Sequence, residues 1–153
     1  MTRAPDIRPL APADRAAFVA LVSLYLAEIA PTLAPPATER IARSWSDPDR
    51  FAFTLHDGGL VGFALITRLA NGTHEMSEFY IAPTHRKAGL GRAMVGAILP
   101  RFPGRWQLGL AKGSPGARDF WTRALADYPI KRGPPLTPNQ SASLHFTVKE
   151  TPT

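Results

Sequence analysis

The sequence predicts an α/β protein with a mixed sheet, and three observations carry that prediction. Its 153 residues suit one ordinary domain with one core, so we expect a single domain over residues 1–153. Apolar, β-rich runs lie in the middle of the chain, separated by turn signals at residues 57–59 and 71–73. Apolar residues recur at helical spacing before and after these runs, which predicts strands and helices mixed along one chain.

The first third of the chain predicts a short strand and two helices. Residues 7–10 form the strand, and a proline within it is typical of a sheet edge. A helix follows from Pro12 and Asp14 and ends before Pro31. Its apolar stripe, at spacings of three and four, consists of Phe18, Leu21, Val22, Tyr25 and Ile29. Residues 39–47 predict a second, shorter helix.

The remainder predicts strands at residues 51–56, 60–67 and 74–81, antiparallel to one another because short turns join them. A helix over residues 90–98 ends near Pro100. A strand at 106–111, a helix at 115–125 and a last strand at 143–149 complete the chain. The predicted order is β-α-α-β-β-β-α-β-α-β.

The charge and composition limit the classes of function. A formal charge of +6 favours an anionic partner such as a phosphorylated cofactor, nucleic acid or a membrane surface. No apolar run approaches the roughly 18 residues of a membrane span, and no secretory signal follows Met1, so we expect a cytoplasmic protein without a membrane partner. There is no cysteine, and the four histidines lack metal-ligand spacing, so we expect no metal.

Residues 78–94 carry the main functional signal. They predict an apolar strand ending before Pro83, then a basic turn containing Gly89 and Gly91, then a helix. The first N–H groups of a helix have no partners within it and lie at the positive end of its dipole, so such a turn favours phosphate. A dinucleotide fingerprint fits less well because Met94 stands where a third small residue is needed. No G-x-x-x-x-G-K-[ST] loop occurs in the chain.

The turn Arg86-Lys87-Ala88-Gly89-Leu90-Gly91 resembles the R/Q-x-x-G-x-G/A signature of the GNAT acetyltransferases. Residues 114–121 resemble the N-x-x-A-x-x-F-Y helix of that family, and the predicted order of elements is the family's order. The chain is also similar to a subgroup of predicted members whose substrates are mostly unassigned. The resemblance implies acetyl-CoA as co-substrate. The residues expected to bind it are Phe79, Tyr80, Ile81, Arg86, Lys87, Ala88, Gly89, Leu90, Gly91, Arg92, Ser114 and Phe120.

Acetyl transfer by direct attack needs a group that takes a proton from the acceptor amine. Glu78 is our first candidate for this base, because it lies in an apolar strand just before the expected pantetheine-binding segment; Glu75 is the second. The alternative for Glu78 is a solvated or structural carboxylate. Trp121 stands where many family members have a tyrosine, so the general acid is left unassigned, with Tyr80 and Tyr128 either acids or core aromatics.

The sequence therefore predicts an N-acetyltransferase that acts on a primary amine of a small molecule or a peptide. The resemblance implies an acceptor site built from residues 25–45 and 131–145, which carry no motif that identifies the acceptor. A first alternative is an acyl-CoA-binding sensor or interaction protein with impaired catalysis, which the residues at Ser114 and Trp121 favour. A second is a nucleic-acid-binding module, which we disfavour because the basic residues cluster at the glycine turn. A monomer and a homodimer both stay open.

Overall fold

The computed structural model describes residues 5–29, 47–86, 88–114 and 116–150. The strands in these ranges are β1 (Asp6–Pro9), β2 (Arg50–His56), β3 (Leu60–Arg68), β4 (His74–Ile81), β5 (Gly104–Ala111), β6 (Lys131–Gly133) and β7 (Gln140–Val148). The α-helices are α1 (Arg15–Ile29), α2 (Leu90–Ile98) and α3 (Ala117–Ala124), with short 3-10 helices at Pro12–Asp14, Pro83–His85 and Leu99–Arg101.

The seven strands form one mixed sheet in the order β1-β2-β3-β4-β5-β7-β6, which confirms the predicted fold class. Strands β1 to β4 are antiparallel to their neighbours, β4 and β5 are parallel, and β5, β7 and β6 are antiparallel. The parallel pair is connected through α2, as a crossover between parallel strands requires. No helix in the described ranges has the length and apolar character needed to cross a bilayer.

Two strands near the end of the chain differ from the prediction. The last strand begins at Gln140 rather than Ser143, and β6 was not predicted at all. Strand β6 has only three residues, and it exists because Lys131 to Gly133 pair with β7, a contact that local sequence does not encode. The helix predicted over residues 39–47 lies, except for its last residue, outside the described residues.

The helices cover the two faces of the sheet. Helix α1 lies on one face, where its buried residues contact Phe63, Leu65 and Tyr80. Helices α2 and α3 lie on the other face, where Met94 and Trp121 join a core that includes Trp106 of β5. Successive strand residues therefore alternate between an α1 face and an α2/α3 face.

Two irregularities interrupt the middle of the sheet. Leu65 pairs with Glu78 and Ile66 pairs with Met76, so Ser77 is an extra residue that forms a β-bulge in β4. Strands β4 and β5 are paired only at His74–Trp106 and Glu75–Gln107. Beyond these two pairs the parallel strands diverge, and among the described residues no strand pairs with the second half of β4 on its β5 side.

Candidate active site

A cleft of about 790 Å³ lies where β4 and β5 diverge. Its walls include most of β4, parts of β5, the first turn of α2 and much of α3. The residues that β4 and β5 contribute are Met76, Ser77, Glu78, Phe79, Tyr80, Ile81, Leu108, Gly109 and Ala111. Because no strand of the described part of the chain pairs with this side of β4, its backbone N–H and C=O groups face the cleft as they would face an added strand.

One end of the cleft has the properties of an anion site. Gly89 has φ 79°, the left-handed conformation that favours glycine, and it precedes α2. The N–H of Ala93 donates to the carbonyl of Gly89 at 3.0 Å, which is the first bond of the helix. The N–H groups of Leu90, Gly91 and Arg92 come before it and find no acceptor among the described residues. Unpartnered N–H groups at the start of a helix are donors of the kind that bind phosphate.

Gly91 is small for a packing reason that the sequence did not reveal. A Cβ atom added to it would lie 2.7 Å from Cε1 of Phe120, so α2 and α3 approach closely only because this residue has no side chain. The Phe120 ring also packs on Phe79, with centroids 5.3 Å apart, and both rings line the cleft. Gly91 thus fixes the distance between the anion site and the aromatic wall.

The Arg86 side chain is bound by protein groups. Its Nε–H donates to the carbonyl of Ile81 at 2.8 Å, and its two terminal nitrogens donate to both carboxylate oxygens of Glu28 at 2.8 and 2.9 Å. The guanidinium also lies over the Tyr80 ring, 5.3 Å from its centroid. Arg86 therefore ties the glycine turn to α1 and β4, and the hydrogen bond from Arg86 is the main reason that the pKa of Glu28 is lowered.

Glu78 lies in the cleft on the α1 face. Its Oε2 accepts a hydrogen bond from the hydroxyl of Tyr25, a buried residue of α1. Burial raises the pKa of Glu78 above its ordinary value, and the nearby charge of Glu75 adds to that effect. The Tyr25 hydrogen bond and the charge of Arg50 act in the opposite direction. A partly buried carboxyl with a raised pKa, open to a ligand cleft, suits a general base.

Glu75, the second candidate base, forms hydrogen bonds at the last position where β4 and β5 are paired. Its Oε2 accepts a hydrogen bond of 2.6 Å from Nε2 of Gln107, and the hydroxyl of Ser77 lies 3.4 Å from its Oε1. Glu75 does not line the cleft. Its position favours a structural role and an electrostatic effect on Glu78.

Of the two tyrosines that are candidate general acids, one lines the cleft and the other does not. Tyr80 lines the cleft, and burial first and the charge of Glu28 second raise the pKa of its hydroxyl. Tyr128 packs on Phe146, with centroids 5.6 Å apart, and does not line the cleft. Trp121 lines the cleft but packs its buried ring on Phe79 at 5.1 Å.

Most of the residues predicted to bind the cofactor meet in this cleft. Those that line it are Phe79, Tyr80, Ile81, Arg86, Gly89, Gly91, Arg92, Ser114 and Phe120. Ala88 and Leu90 do not line it, and Leu90 packs against the core. Lys87 lies outside the described residues. The sequence placed Tyr25 in an apolar helix stripe and placed residues 25–45 in the expected acceptor site, but it did not predict the contacts of Tyr25 with Glu78 and of Glu28 with Arg86, because no motif marks them.

No cluster of three or more His, Asp or Glu side chains suited to a metal ion is found within the described ranges. The candidate site therefore consists of backbone N–H groups, aromatic walls, one carboxyl with a tyrosine partner, and an arginine–glutamate pair.

Residues 18–126 match the acetyltransferase (GNAT) family. An acetyltransferase of that family from Staphylococcus aureus Mu50 has a similar structure, with a TM-score of 0.73 and 12% identity over 95% of this chain and 100% of that one. The PaiA N-acetyltransferase of Thermoplasma acidophilum, in complex with coenzyme A, is also similar. Its TM-score is 0.66 and its sequence identity is 14%, over 97% of this chain and 100% of that one. No curated protein matches the chain.

A third similar structure contains both a cofactor and an acceptor. It is the diaminobutyrate acetyltransferase EctA of Paenibacillus lautus, in complex with L-2,4-diaminobutyric acid and coenzyme A, with a TM-score of 0.72 and 12% identity over 99% of both chains. At these identities the likeness is one of fold. The match over residues 18–126 confirms the family resemblance seen in the glycine turn.

Proposed function

We propose, from the premise that this chain belongs to the acetyltransferase (GNAT) family, that it transfers an acetyl group from acetyl-CoA to a primary amine. One observation carries the proposal: the cleft between the diverging strands joins an anion site at its α2 end to the carboxyl of Glu78 in its wall. We propose a cytoplasmic protein of one domain, and an acceptor that is a small molecule or a peptide.

In this proposal the pyrophosphate of CoA lies against the N–H groups at the start of α2, which attract its charge. The pantetheine arm runs along the unpaired side of β4 and forms hydrogen bonds as an added strand would. Ser114 contributes a hydroxyl from the segment before α3. A backbone N–H of residues 79–81 polarises the thioester carbonyl as negative charge develops on its oxygen. The coenzyme A bound to the PaiA and EctA structures supports this choice of cofactor.

The chemical step is an attack by the neutral amine on the thioester carbon. The nitrogen forms a bond to the acetyl carbon, its proton passes to the Glu78 carboxylate directly or through a water, and the bond from carbon to sulfur breaks. The CoA thiolate then takes a proton from water or from Tyr80, which lines the cleft. Since Glu78 acts in its ionised form, the rate should rise with pH through the pKa of that carboxyl.

The test measures CoA binding by calorimetry and thiol release from acetyl-CoA over a panel of primary amines. Glu78→Gln should keep CoA binding and lower kcat by about 10²–10⁴-fold, because the amide cannot accept the proton. Glu150→Gln is the matched control, since Glu150 is exposed and lies beyond the end of β7. Full activity in Glu78→Gln would rule out Glu78 as the base, and an absence of CoA binding would rule out the proposal.

A second candidate function is an acyl-CoA-binding protein that does not catalyse transfer. The observation in its favour is Trp121, whose ring packs on Phe79 at the position where many family members have a tyrosine. That protein would bind CoA with the same dependence on the α2 turn but would release no thiol with any amine. Binding without turnover over the whole amine panel would favour this alternative.

A further inference from the structure

The contact between Tyr25 and Glu78 joins α1 to the middle of the cleft. The Tyr25 hydroxyl donates to Oε2 of Glu78, a residue 53 positions away in sequence. Only 8% of Tyr25 is exposed; its ring packs edge-on against Phe63, with centroids 5.4 Å apart, and at a tilt against Tyr80, also at 5.4 Å. Packing on two rings holds the phenol in place, so its O–H is directed by the core and not by solvent.

We infer that Tyr25 is a positioning residue that holds Glu78 in its ionised form and keeps one carboxylate oxygen available to the acceptor, an inference that rests on the proposed function. A phenol at neutral pH can donate to a carboxylate, and this hydrogen bond stabilises the charged form. It occupies Oε2, whereas Oε1 of Glu78 has no protein partner among the described residues. Oε1 is therefore the oxygen that accepts the proton.

Other charged groups around Glu78 do not perform this task. From β4, Glu75 places a second negative charge nearby and disfavours the ionised form. From β2, Arg50 favours the ionised form through its charge without a hydrogen bond to Glu78, and it also lies 3.8 Å from a carboxylate oxygen of Asp47. From β3, Leu65 stands opposite Glu78 and is apolar. Within the described ranges, the hydroxyl on α1 is the direct donor to this carboxyl.

If Tyr25 had a purely structural role, loss of its hydroxyl would not change the pH dependence of the reaction. The Tyr25→Phe variant distinguishes this structural role from the positioning role. The variant keeps the ring and its contacts with Phe63 and Tyr80 but removes the donor. We expect the acidic limb of the pH profile of kcat/KM to move to higher pH. A hydrogen bond to a charged group stabilises it enough to change the acid dissociation constant of the carboxyl by a factor of about ten or more. On the acidic limb kcat/KM should therefore fall by about tenfold, and it should recover on the alkaline plateau. CoA affinity should not change.

Two controls isolate the hydroxyl. Phe18→Leu disturbs the same aromatic cluster, since the Phe18 ring packs on Phe63 at 5.3 Å, and it should lower the Tm without moving the pH profile. Tyr25→Phe in the Glu78→Gln background should cause little further loss, because a residue that acts through Glu78 has nothing left to position. Independent, additive losses in this double-mutant cycle would overturn the inference.

A second readout does not depend on turnover. Carbon NMR of the Glu78 carboxyl, in protein labelled at glutamate and assigned with Glu78→Gln, follows its titration directly. The midpoint should rise in Tyr25→Phe relative to the natural chain. An unchanged midpoint would overturn the inference even if activity falls. If the natural chain releases no thiol with any amine, the proposed function fails, and the NMR titration still decides the role of Tyr25.

Discussion

Gly91 offers the most direct test of how α2 and α3 build the cleft. In Gly91→Ala the new methyl group would lie 2.7 Å from Cε1 and 3.0 Å from Cζ of Phe120, where carbon atoms normally stay about 3.5–4.0 Å apart. The ring cannot turn aside freely, since it also packs on Phe79 at 5.3 Å and on Trp121 at 5.0 Å. The variant must therefore displace the aromatic wall by about 1 Å.

The size of the effect follows from two opposing contributions. Overpacking of a close contact costs about 1–3 kcal/mol, and alanine in place of glycine in a helix recovers about 0.5–1 kcal/mol. We expect a net loss of about 1–2 kcal/mol in the free energy of unfolding, which lowers the Tm by roughly 2–8 °C. CoA affinity should fall as well, because Phe120 and Gly91 both line the cleft.

Gly96 supplies the matched control on the same helix. It lies within α2, it is exposed, and a Cβ atom added to it would have no neighbour within 4 Å. Gly96→Ala should raise the free energy of unfolding by about 0.5–1 kcal/mol and leave CoA binding unchanged. Thermal unfolding and CoA calorimetry on both variants check the prediction. If Gly91→Ala is as stable as Gly96→Ala and binds CoA equally well, the packing explanation for Gly91 is wrong.

Two further predictions concern charged groups. In a double-mutant cycle, Glu28→Gln and Arg86→Gln should show a coupling of about 1 kcal/mol in the free energy of unfolding, a modest value because both side chains are about 40% exposed. The coupling should decrease as pH drops below the ordinary pKa of glutamate, since the pKa of Glu28 is lowered in the folded state. Additive effects of the two substitutions would contradict the pairing. Burial first and Arg68 second lower the pKa of His74, so the unfolded chain binds its proton more readily and stability should fall as pH drops through about 6.5. His74→Phe should reduce the loss of Tm between pH 7.5 and 5.5, and a loss as large as that of the natural chain would count against His74.

The fold was predictable from sequence where its signals are local. The hairpin turn at residues 57–59, the stripe of α1 and the glycine turn each specify a short segment, and the structure contains all three elements. Strand β6 was not predictable, because three residues carry no period and need β7 as a partner. Glu78 and Tyr80 alternate along β4 onto one face, and both contact Tyr25.

The site was predictable only in part, because its key contacts join distant segments. Simple alternation would place Met76 on the same face as Glu78, but the bulge at Ser77 leaves Met76 in the opposite core. The partner of Glu78 is 53 residues away, and that of Arg86 is 58 residues away. A tyrosine in an apolar stripe carries no sign that its hydroxyl has such a partner, so the tertiary fold decides this contact.

The divergence of β4 and β5 also bears on the mechanics of the sheet. Most strands inside a sheet are paired along both edges, but within the described ranges strand pairing between the β1–β4 portion and the β5–β7–β6 portion is limited to two residue pairs. A ligand that forms hydrogen bonds along β4 and also contacts β5 connects the two portions of the sheet. At about 100 times its Kd such a ligand adds about 2.7 kcal/mol to the stability of the fold. Each release of product removes this connection between the two portions of the sheet. The free energy of ligand binding therefore contributes both to turnover and to the rigidity of the sheet.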